Sequence, residues 1–211
     1  DEDIDLVFSS LTKNIIPADK DMKRNIFDYS KLNNIELYGK TIGIIGVGRI
    51  GFKVANLAKA FGMNVIGNDI DPKVIRKYKS VKFVSLDKLL SSSDIVTIHT
   101  PLNNSTKKII NAKNLRLLPE GSILINCSRG GTVDENALFN VLTKNKLYYS
   151  AVDVFENEPL FNKKLSKLKN AILTPHLAGK TVESKQRMAI KAAEGVIRYF
   201  SKPQSKHKLI N

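Results

Sequence analysis

The feature that most constrains the fold of this chain is a glycine-rich turn between a short apolar run and a helical pattern. The turn is Gly46-Val-Gly-Arg-Ile-Gly51, and it directly follows segment 41–45, which is predicted to be a buried strand. A helix is predicted for residues 50–61, and a second predicted strand is followed by Asp69, eighteen positions after Gly51. In this setting the glycines and the acidic residue are typical of a unit that binds a dinucleotide.

Short strands alternate with helices along the whole sequence. The predicted strands are 41–45, 64–68, 82–84, 95–99, 122–126, 149–152 and 171–173, and the predicted helices are 50–61, 85–90, 135–144 and 182–200. This alternation requires crossover connections, so it predicts a Rossmann-like α/β fold, a doubly wound parallel sheet with helices on both faces. An opening helical segment, 4–23, is expected to break near Pro17, and the basic tail, 201–211, to be poorly ordered.

The glycine-rich turn predicts how the pyrophosphate of the dinucleotide is held. Gly46 permits the tight turn, Gly48 lets the backbone approach the pyrophosphate, and Gly51 lets helix and strand pack closely. The amides near Arg49 and Ile50, at the start of the predicted helix, are expected to bind the phosphates, because a helix N-terminus attracts anions.

Residues at the ends of two other strands predict the adenosine side of the site. Asp69 is placed to accept hydrogen bonds from the ribose hydroxyls, and its charge would repel a 2′-phosphate, so NAD is favoured over NADP. His99, Thr100 and Pro101 follow another predicted strand and are expected to line the adenine pocket. We interpret His99 as structural rather than catalytic.

Composition narrows the range of partners. The net charge is +14, but the lysines are spread along the chain and no zinc-finger or RNA-binding signature is present, so no nucleic-acid partner is predicted. No apolar run approaches the ~20 residues of a membrane span, so no membrane partner is predicted. No cluster has metal-ligand spacing, so no metal is predicted. The single cysteine, Cys127, excludes an intrachain disulfide and favours the cytoplasm.

Four motifs resemble those of a known family. They are Leu37-Tyr-Gly-Lys-Thr-Ile-Gly-Ile-Ile-Gly-Val-Gly-Arg-Ile-Gly51, Asn126-Cys-Ser-Arg-Gly-Gly-Thr-Val-Asp-Glu135, Asp153-Val-Phe-Glu-Asn-Glu-Pro159 and Thr174-Pro-His-Leu-Ala-Gly179. Their type and order resemble the D-isomer-specific 2-hydroxyacid dehydrogenases, and the similarity covers nearly the whole chain. Within that family the motifs are most similar to the phosphoglycerate dehydrogenases, followed by the glyoxylate/hydroxypyruvate reductases.

The resemblance implies three catalytic residues. Arg129 would hold the substrate carboxylate and polarise the keto oxygen. His176 would donate a proton to that oxygen during reduction and accept one during oxidation. Glu158 would hydrogen-bond the imidazole, orient it and favour its protonated form. A second glutamate, Glu156, lies nearby, but the family pattern places the catalytic one immediately before Pro159, so we choose Glu158.

The resemblance also implies a nicotinamide pocket. Asp153 matches the aspartate that contacts the nicotinamide carboxamide in the family. The other residues expected around the ring are Cys127, Ser128, Arg129, His176, Ala178 and Gly179. Cys127 could be read as a nucleophile, but no base is placed for it, so we interpret it as a buried thiol.

The function implied is an NAD-dependent oxidoreductase that interconverts a D-2-hydroxy acid and a 2-keto acid as small-molecule substrates. The preferred substrate pair is 3-phosphoglycerate and 3-phosphohydroxypyruvate, in serine biosynthesis; glyoxylate/hydroxypyruvate reductase and D-lactate dehydrogenase are alternatives. An NAD-sensing, corepressor-like binding protein is an alternative of another class. A homodimer formed through the cofactor domain is expected.

The expected domain organisation follows from the same resemblance. Residues 1–190 would form the NAD-binding domain, with 1–24 as a leading helical segment, and 191–211 would lead toward a substrate domain. The first part of that substrate domain precedes the corresponding region in the family and has no counterpart in this chain. The chain alone is therefore expected to bind NAD and to have little activity.

Overall fold

A seven-stranded sheet forms the centre of the molecule. The computed structural model describes residues 12–30, 32–144, 146–159 and 162–201. The expectations for 4–11 and for the tail beyond Ser201 lie outside these residues. The strands are β1 (Thr41–Ile45), β2 (Asn64–Asn68), β3 (Lys82–Phe83), β4 (Ile95–Ile98), β5 (Ser122–Asn126), β6 (Leu147–Val152) and β7 (Ala171–Leu173). All neighbouring strands are parallel, in the order β3-β2-β1-β4-β5-β6-β7.

The described residues contain six α-helices, of which the first precedes β1 and the other five lie between or after the strands. They are α1 (Ile15–Met22), α2 (Arg49–Ala60), α3 (Pro72–Lys77), α4 (Leu86–Ser92), α5 (Glu135–Thr143) and α6 (Val182–Ser201), with short 3-10 helices at Asn114–Leu117 and Leu165–Lys167. The predicted bounds of α2, α4, α5 and α6 agree within two residues. None of the helices in the described ranges is long and apolar enough to cross a membrane.

Two local predictions were wrong or incomplete. The opening segment turns at Asn14, whose φ is +50°, so the break lies three residues before Pro17. Helix α1 then begins at Ile15 and contains Pro17, which is tolerated because an N–H group in the first turn has no acceptor within the helix. Helix α3 was not predicted, since its six residues are too few to show a helical period. It is fixed by its ends: the Asp71 carboxylate accepts from Lys73 N at 2.8 Å, and Pro72 is its first residue.

The sheet is covered on both faces, as predicted for the doubly wound class. One apolar cluster joins Ile42 and Ile44 of β1 to Val54 and Ala58 of α2. The other contains the next β1 residue, Ile45, together with apolar side chains of α4 and α5. Because successive side chains of a strand point to opposite faces, the division of β1 between two clusters places helices on both sides of the sheet. The predicted fold class is confirmed.

The carboxyl ends of the strands lie in one row. Ile45 pairs with Asn68 and Ile98, Asn126 pairs with Ile98 and Val152, and Val152 pairs with Leu173. The loops that follow six different strands therefore begin at the same edge of the sheet. In open α/β sheets this carboxyl edge is where ligands bind.

The chain divides into two compact units, the first ending at Ala178 and the second beginning at Gly179. Within the second unit, α6 is exposed along its length. Its start is fixed by two hydrogen bonds between Thr181 and Ser184, each backbone N–H donating to the other residue's hydroxyl at 3.0 and 3.2 Å. This reciprocal capping explains why the helix begins at Val182, as predicted.

Candidate active site

The glycine-rich turn after β1 is shaped by close backbone contacts. Gly46 has a φ of +86°, and a Cβ atom there would lie 2.8 Å from the side chain of Thr100 and 2.9 Å from the backbone of His99. A Cβ at Gly48, in contrast, would meet nothing within 4 Å. Helix α2 begins directly after Gly48 with no side chain capping it. The turn thus leaves open space beside an uncapped helix N-terminus, which suits a phosphate group.

Asp69 connects the end of β2 to this turn. Its Oδ2 accepts a hydrogen bond from Val47 N at 2.9 Å, and its Oδ1 accepts from Asp71 N at 2.9 Å. The same residue lines a pocket at the carboxyl edge of β1, β2 and β4. Six residues predicted for the cofactor line it together: Gly46, Gly48, Asp69, His99, Thr100 and Pro101. Three more of the residues predicted for the cofactor, Arg49, Ile50 and Gly51, are the first residues of α2.

The pocket contains a polar atom without a partner. Thr100 Oγ1 is buried, and it is the only buried side-chain polar atom of the described residues with no hydrogen-bond partner. His99 lies beside it, with Nε2 3.0 Å from Thr97 Oγ1. Burial lowers the pKa of His99 to about 4, so the ring is neutral at pH 7. An open helix N-terminus and a carboxylate in one pocket, with an unpaired hydroxyl buried in its wall, fit the phosphates and hydroxyls of a dinucleotide.

Several pocket residues were missed by the sequence prediction. They are Asn68, Ile70, Asn103, Ser105, Thr106 and Ile109. Three of them form a turn in which Asn103 N donates to Thr106 Oγ1 at 2.8 Å and Ser105 N donates to Asn103 Oδ1 at 2.9 Å. The run of polar residues after Pro101 could have indicated this turn, but nothing in it indicates a ligand.

The loop after β5 is stabilised from within and carries Arg129 at its surface. Asn126 accepts from the hydroxyl of Ser128 at 2.8 Å and donates to Thr132 Oγ1 at 3.2 Å, and Thr132 Oγ1 donates to Arg129 O at 2.7 Å. The Arg129 side chain is exposed, and its Nη1 donates to Ser128 O at 2.6 Å. Cys127, which we expected to be buried, is half-buried beside the apolar cluster of α2.

Glu158 and His176 form a hydrogen-bonded pair. Glu158 Oε2 lies 2.8 Å from His176 Nδ1, and both side chains are more than a third exposed. Glu158 Oε1 accepts from Phe155 N at 3.0 Å, so both carboxylate oxygens have a partner. The Glu158 carboxylate binds Nδ1 of the ring, so the other ring nitrogen, Nε2, points away from the carboxylate. The structure therefore brings Glu158, and not Glu156, against the imidazole.

Asp153 holds the loop that carries His176. It is buried, with 3% of its surface exposed. Its Oδ1 accepts from Thr174 Oγ1 at 2.6 Å and from Leu177 N at 2.7 Å, while Oδ2 accepts from Ala178 N at 3.0 Å. His176, whose φ is +54°, donates its N–H to Asp153 O at 2.9 Å. The sequence did not reveal this role, because backbone N–H donors carry no residue-specific signal.

The loops of Arg129 and Glu158 touch. Gly130 lies so close to the backbone of Phe155 that a Cβ atom at Gly130 would overlap the Phe155 carbonyl oxygen. Residues predicted from two separate motifs are thus neighbours at the carboxyl edge. Gly179, also predicted for the cofactor, begins the second unit. Among the described residues, no group of three His, Cys, Asp or Glu side chains has the arrangement of a metal site.

Comparison with known proteins identifies the family. The profile described as "D-isomer specific 2-hydroxyacid dehydrogenase, NAD binding domain" matches residues 6–178. The chain is 40% identical over 186 residues to the D-3-phosphoglycerate dehydrogenase of Methanocaldococcus jannaschii, covering 87% of this chain and 36% of that protein. It is 38% identical over 189 residues to the hydroxypyruvate reductase of Thermotoga maritima, covering 88% and 61%.

Solved structures agree with this assignment. A D-lactate dehydrogenase from Sporolactobacillus sp. superposes with a TM-score of 0.85 at 33% identity, over 97% of this chain and 65% of that one. The NAD-dependent formate dehydrogenase from Staphylococcus aureus, in complex with NAD, gives a TM-score of 0.87 at 30% identity, over 97% and 62%. The chain thus spans less than two thirds of each of these relatives. It belongs to the D-isomer-specific 2-hydroxyacid dehydrogenase family and forms its NAD-binding domain.

Proposed function

We propose that this domain provides the cofactor site and the catalytic residues Arg129, Glu158 and His176 of an enzyme that interconverts a D-2-hydroxy acid and a 2-keto acid. The observation that carries the proposal is the Glu158–His176 pair, 2.8 Å apart, at the same sheet edge as the glycine-rich turn. An imidazole held by a carboxylate is suited to transfer a proton. The dinucleotide, when bound, supplies the hydride chemistry.

Each residue has a separate task in keto-acid reduction. Arg129, exposed on its loop, binds the substrate carboxylate and draws electron density toward the keto oxygen. The hydride is added to the keto carbon, and His176 donates a proton from Nε2 to the keto oxygen, which gives the hydroxy acid. Glu158 holds Nδ1 and offsets the positive charge of the protonated ring. In the oxidation the same groups work in reverse.

The proposed cofactor preference is NAD over NADP. The Asp69 carboxylate lines the pocket and is fixed by two backbone N–H groups. A fixed negative charge binds ribose hydroxyls and repels a 2′-phosphate. Asp153 is proposed to contact the nicotinamide carboxamide as well. Its Oδ2 accepts one hydrogen bond, and a carboxylate oxygen has capacity for a second.

The preferred substrate is 3-phosphoglycerate, which would place the enzyme at the start of serine synthesis. Support comes from similarity to the D-3-phosphoglycerate dehydrogenase of Methanocaldococcus jannaschii. Glyoxylate or hydroxypyruvate and D-lactate are the competing substrates, since relatives named for them are comparably similar. A cytoplasmic location is part of the same proposal.

We also propose that two copies associate through the region around α1. Apolar side chains are exposed there and in the segment that follows: Ile15, Ile16, Met22, Ile26, Phe27 and Tyr29. Covering such a surface stabilises a dimer, while the net charge of +14 opposes it, so salt should favour association. Light scattering at high protein concentration tests this, and a monomer mass at every salt concentration would exclude it.

The function is tested by measuring turnover of the full-length protein with NADH and a panel of 2-keto acids: phosphohydroxypyruvate, hydroxypyruvate, glyoxylate and pyruvate. We expect at least one of these keto acids to be reduced, and phosphohydroxypyruvate to be reduced fastest. Calorimetry with NAD and NADP tests the cofactor preference. Tight NAD binding without reduction of any keto acid would contradict the proposed enzymatic activity and favour the alternative of an NAD-sensing binding protein.

A further inference from the structure

The second glutamate of the Glu-Asn-Glu-Pro motif has a partner of its own. Glu156 N donates to Glu135 Oε1 at 2.6 Å, and Glu135 N donates to Glu156 Oε1 at 3.1 Å. The two residues are 21 positions apart, and Glu135 is the first residue of α5. Each carboxylate thus binds the other residue's backbone. We call this reciprocal pair the glutamate clamp.

The clamp is not needed to cap α5. The Asp134 carboxylate already accepts from Ala137 N at 3.0 Å and serves as the N-cap. Glu135 is 8% exposed, so its carboxylate has given up most of its hydration. Burial, followed by the charges of Glu156 and Asp134, raises the pKa of Glu135. The nearby cation is Lys108, whose Nζ lies 3.0 Å from Asp134 Oδ2 and 4.0 Å from Glu156 Oε1.

What the clamp holds is the loop of the catalytic glutamate. Glu156 lies between Phe155, whose N–H donates to Glu158 Oε1, and Glu158, whose Oε2 binds His176. Two successive backbone N–H groups are therefore fixed by carboxylates, one by Glu158 and the other by Glu135. A shift of Glu156 away from α5 would move the backbone that positions Glu158.

The clamp also lies where the arginine loop meets the glutamate loop. Gly130 packs against the Phe155 carbonyl, so the backbone after Arg129 and the backbone before Glu156 are in contact. On the other side, Lys108 N donates to Gly131 O at 2.7 Å. The start of α5 follows the arginine loop directly, and so a bond from Glu135 to Glu156 fixes one loop relative to the other.

We propose that Glu135 and Glu156 are positioning residues, whose reciprocal hydrogen bonds set the Glu158–His176 pair at its working distance from Arg129. This inference rests on the proposed function for its catalytic consequence. Its structural part, that the clamp maintains the Glu158–His176 hydrogen bond, does not depend on which substrate is used.

The first experiment measures kinetics of the full-length protein with three variants. Glu135→Ala removes the acceptor of Glu156 N, and kcat should fall roughly 10- to 100-fold, as is usual for small misplacement of catalytic groups, with KM for NADH unchanged. Glu135→Gln keeps one oxygen to accept from Glu156 N and should recover most of kcat. Asp134→Ala is the matched control, because it weakens the same helix end without releasing Glu156.

Two kinetic results would overturn the proposal. One is wild-type kcat in Glu135→Ala. The other is an equal loss of kcat in Asp134→Ala, because the clamp would then matter only through the stability of α5. The proposal is supported if kcat falls in Glu135→Ala while Asp134→Ala keeps its kcat and only its melting temperature falls.

The second experiment does not require activity. Nitrogen-15 NMR of the imidazole reports whether His176 Nδ1 is hydrogen-bonded, and it applies even if no keto acid is reduced. In Glu135→Ala the Nδ1 resonance should lose the signature of that bond, while Asp134→Ala should keep it. An unchanged resonance in Glu135→Ala would overturn the clamp, whereas failure of turnover with the expected NMR change would overturn only the proposed function.

Discussion

The two ends of the sheet edge hold their loops in different ways, and the aspartates that follow β2 and β6 show the difference. Asp69 fixes the glycine-rich turn through Val47 N but remains half-exposed in the pocket. Asp153 fixes the His176 loop through three donors and is buried. The Asp69 carboxylate therefore both fixes its loop and lines the pocket. The Asp153 carboxylate mainly accepts hydrogen bonds from the protein.

On the proposed function, the difference follows from the chemistry that each end carries out. Phosphates are held by backbone N–H groups and need side chains to be absent, so glycines and a helix start suffice. Proton transfer needs an imidazole held in a fixed direction, so its loop must be tied down firmly. At this end Asp153 and the glutamate clamp provide the ties, each over more than twenty residues of sequence.

The largest expected effect tests the catalytic end by itself. His176→Asn removes the proposed proton donor but keeps a side chain that can bind Glu158. Turnover of the full-length protein should fall about 10²- to 10⁴-fold, since this is the usual contribution of general acid–base catalysis. NAD affinity, measured by calorimetry, should change far less than turnover, because the glycine-rich end is untouched and His176 is expected near the nicotinamide ring alone. Turnover within a few-fold of wild type would mean that another group supplies the proton.

The next effect tests the cofactor end through its histidine. The folded-state pKa of His99 is lowered by burial from 6.5 to about 4. Stability from the neutral ring is therefore present above pH 6.5 and is lost as pH falls toward 4, by about 3 kcal/mol in all. Urea unfolding of wild type and His99→Gln across this pH range should show that the advantage of wild type in free energy of unfolding decreases as pH falls. A constant difference would show that His99 does not titrate as a buried group.

A matched pair of substitutions compares the two aspartates directly. Asp153→Asn places an amide NH₂ against a backbone N–H, so it should lower the free energy of unfolding by about 1–3 kcal/mol. Asp69→Asn should lower the free energy of unfolding by less, because water reaches this half-exposed group. It should instead reduce the preference for NAD over NADP. Urea unfolding and calorimetry measure the two effects. Equal losses of stability would remove the distinction drawn between the two ends.

The sequence predicted the two ends unequally well. The bounds of β1, β2, β5 and β7 were predicted correctly because apolar, β-branched runs lie between turn residues. Six of the pocket residues followed from motif spacing, because they come after strands of one parallel sheet, whereas the polar turn after Pro101 was missed. The glutamate clamp could not be predicted, because each carboxylate binds a backbone N–H that any residue would offer. The same reason hid the contacts of Asp153.

A smaller effect should separate ligand binding from folding at the glycine-rich end. A methyl group at Gly48 would meet nothing within 4 Å, so Gly48→Ala should fold with a melting temperature close to that of wild type. It should still weaken NAD binding by about tenfold, or 1.4 kcal/mol, because the methyl group would occupy space needed by the pyrophosphate. Gly46→Ala is the contrasting variant and should lose stability as well. Unchanged NAD affinity in Gly48→Ala would place the pyrophosphate elsewhere.

The smallest expected effect concerns the glutamate clamp and has the opposite pH dependence to that of His99. Burial, together with the charges of Glu156 and Asp134, raises the pKa of Glu135, while hydrogen bonds from the backbone N–H groups of Glu156 and Asn162 act in the opposite direction. A carboxyl group whose pKa is raised in the folded state contributes stability below its unfolded pKa and loses that contribution as pH rises through the folded value. The glutamine of Glu135→Gln does not titrate, so it makes no pH-dependent contribution to stability.

The stability of the Gln variant relative to wild type should therefore increase from about pH 4 to pH 7. Glutamine also gives up an oxygen that can accept from Asn162 N, which changes the free energy of unfolding of the variant. The test therefore uses only the change with pH of the difference in this free energy, and not its absolute size. Urea unfolding at several pH values gives the difference directly, and titration of other groups cancels between the two proteins. If the variant instead lost stability relative to wild type as pH rises, the Glu135 carboxylate would be favoured by its surroundings, and its hydrogen bonds would outweigh the effect of burial on its pKa.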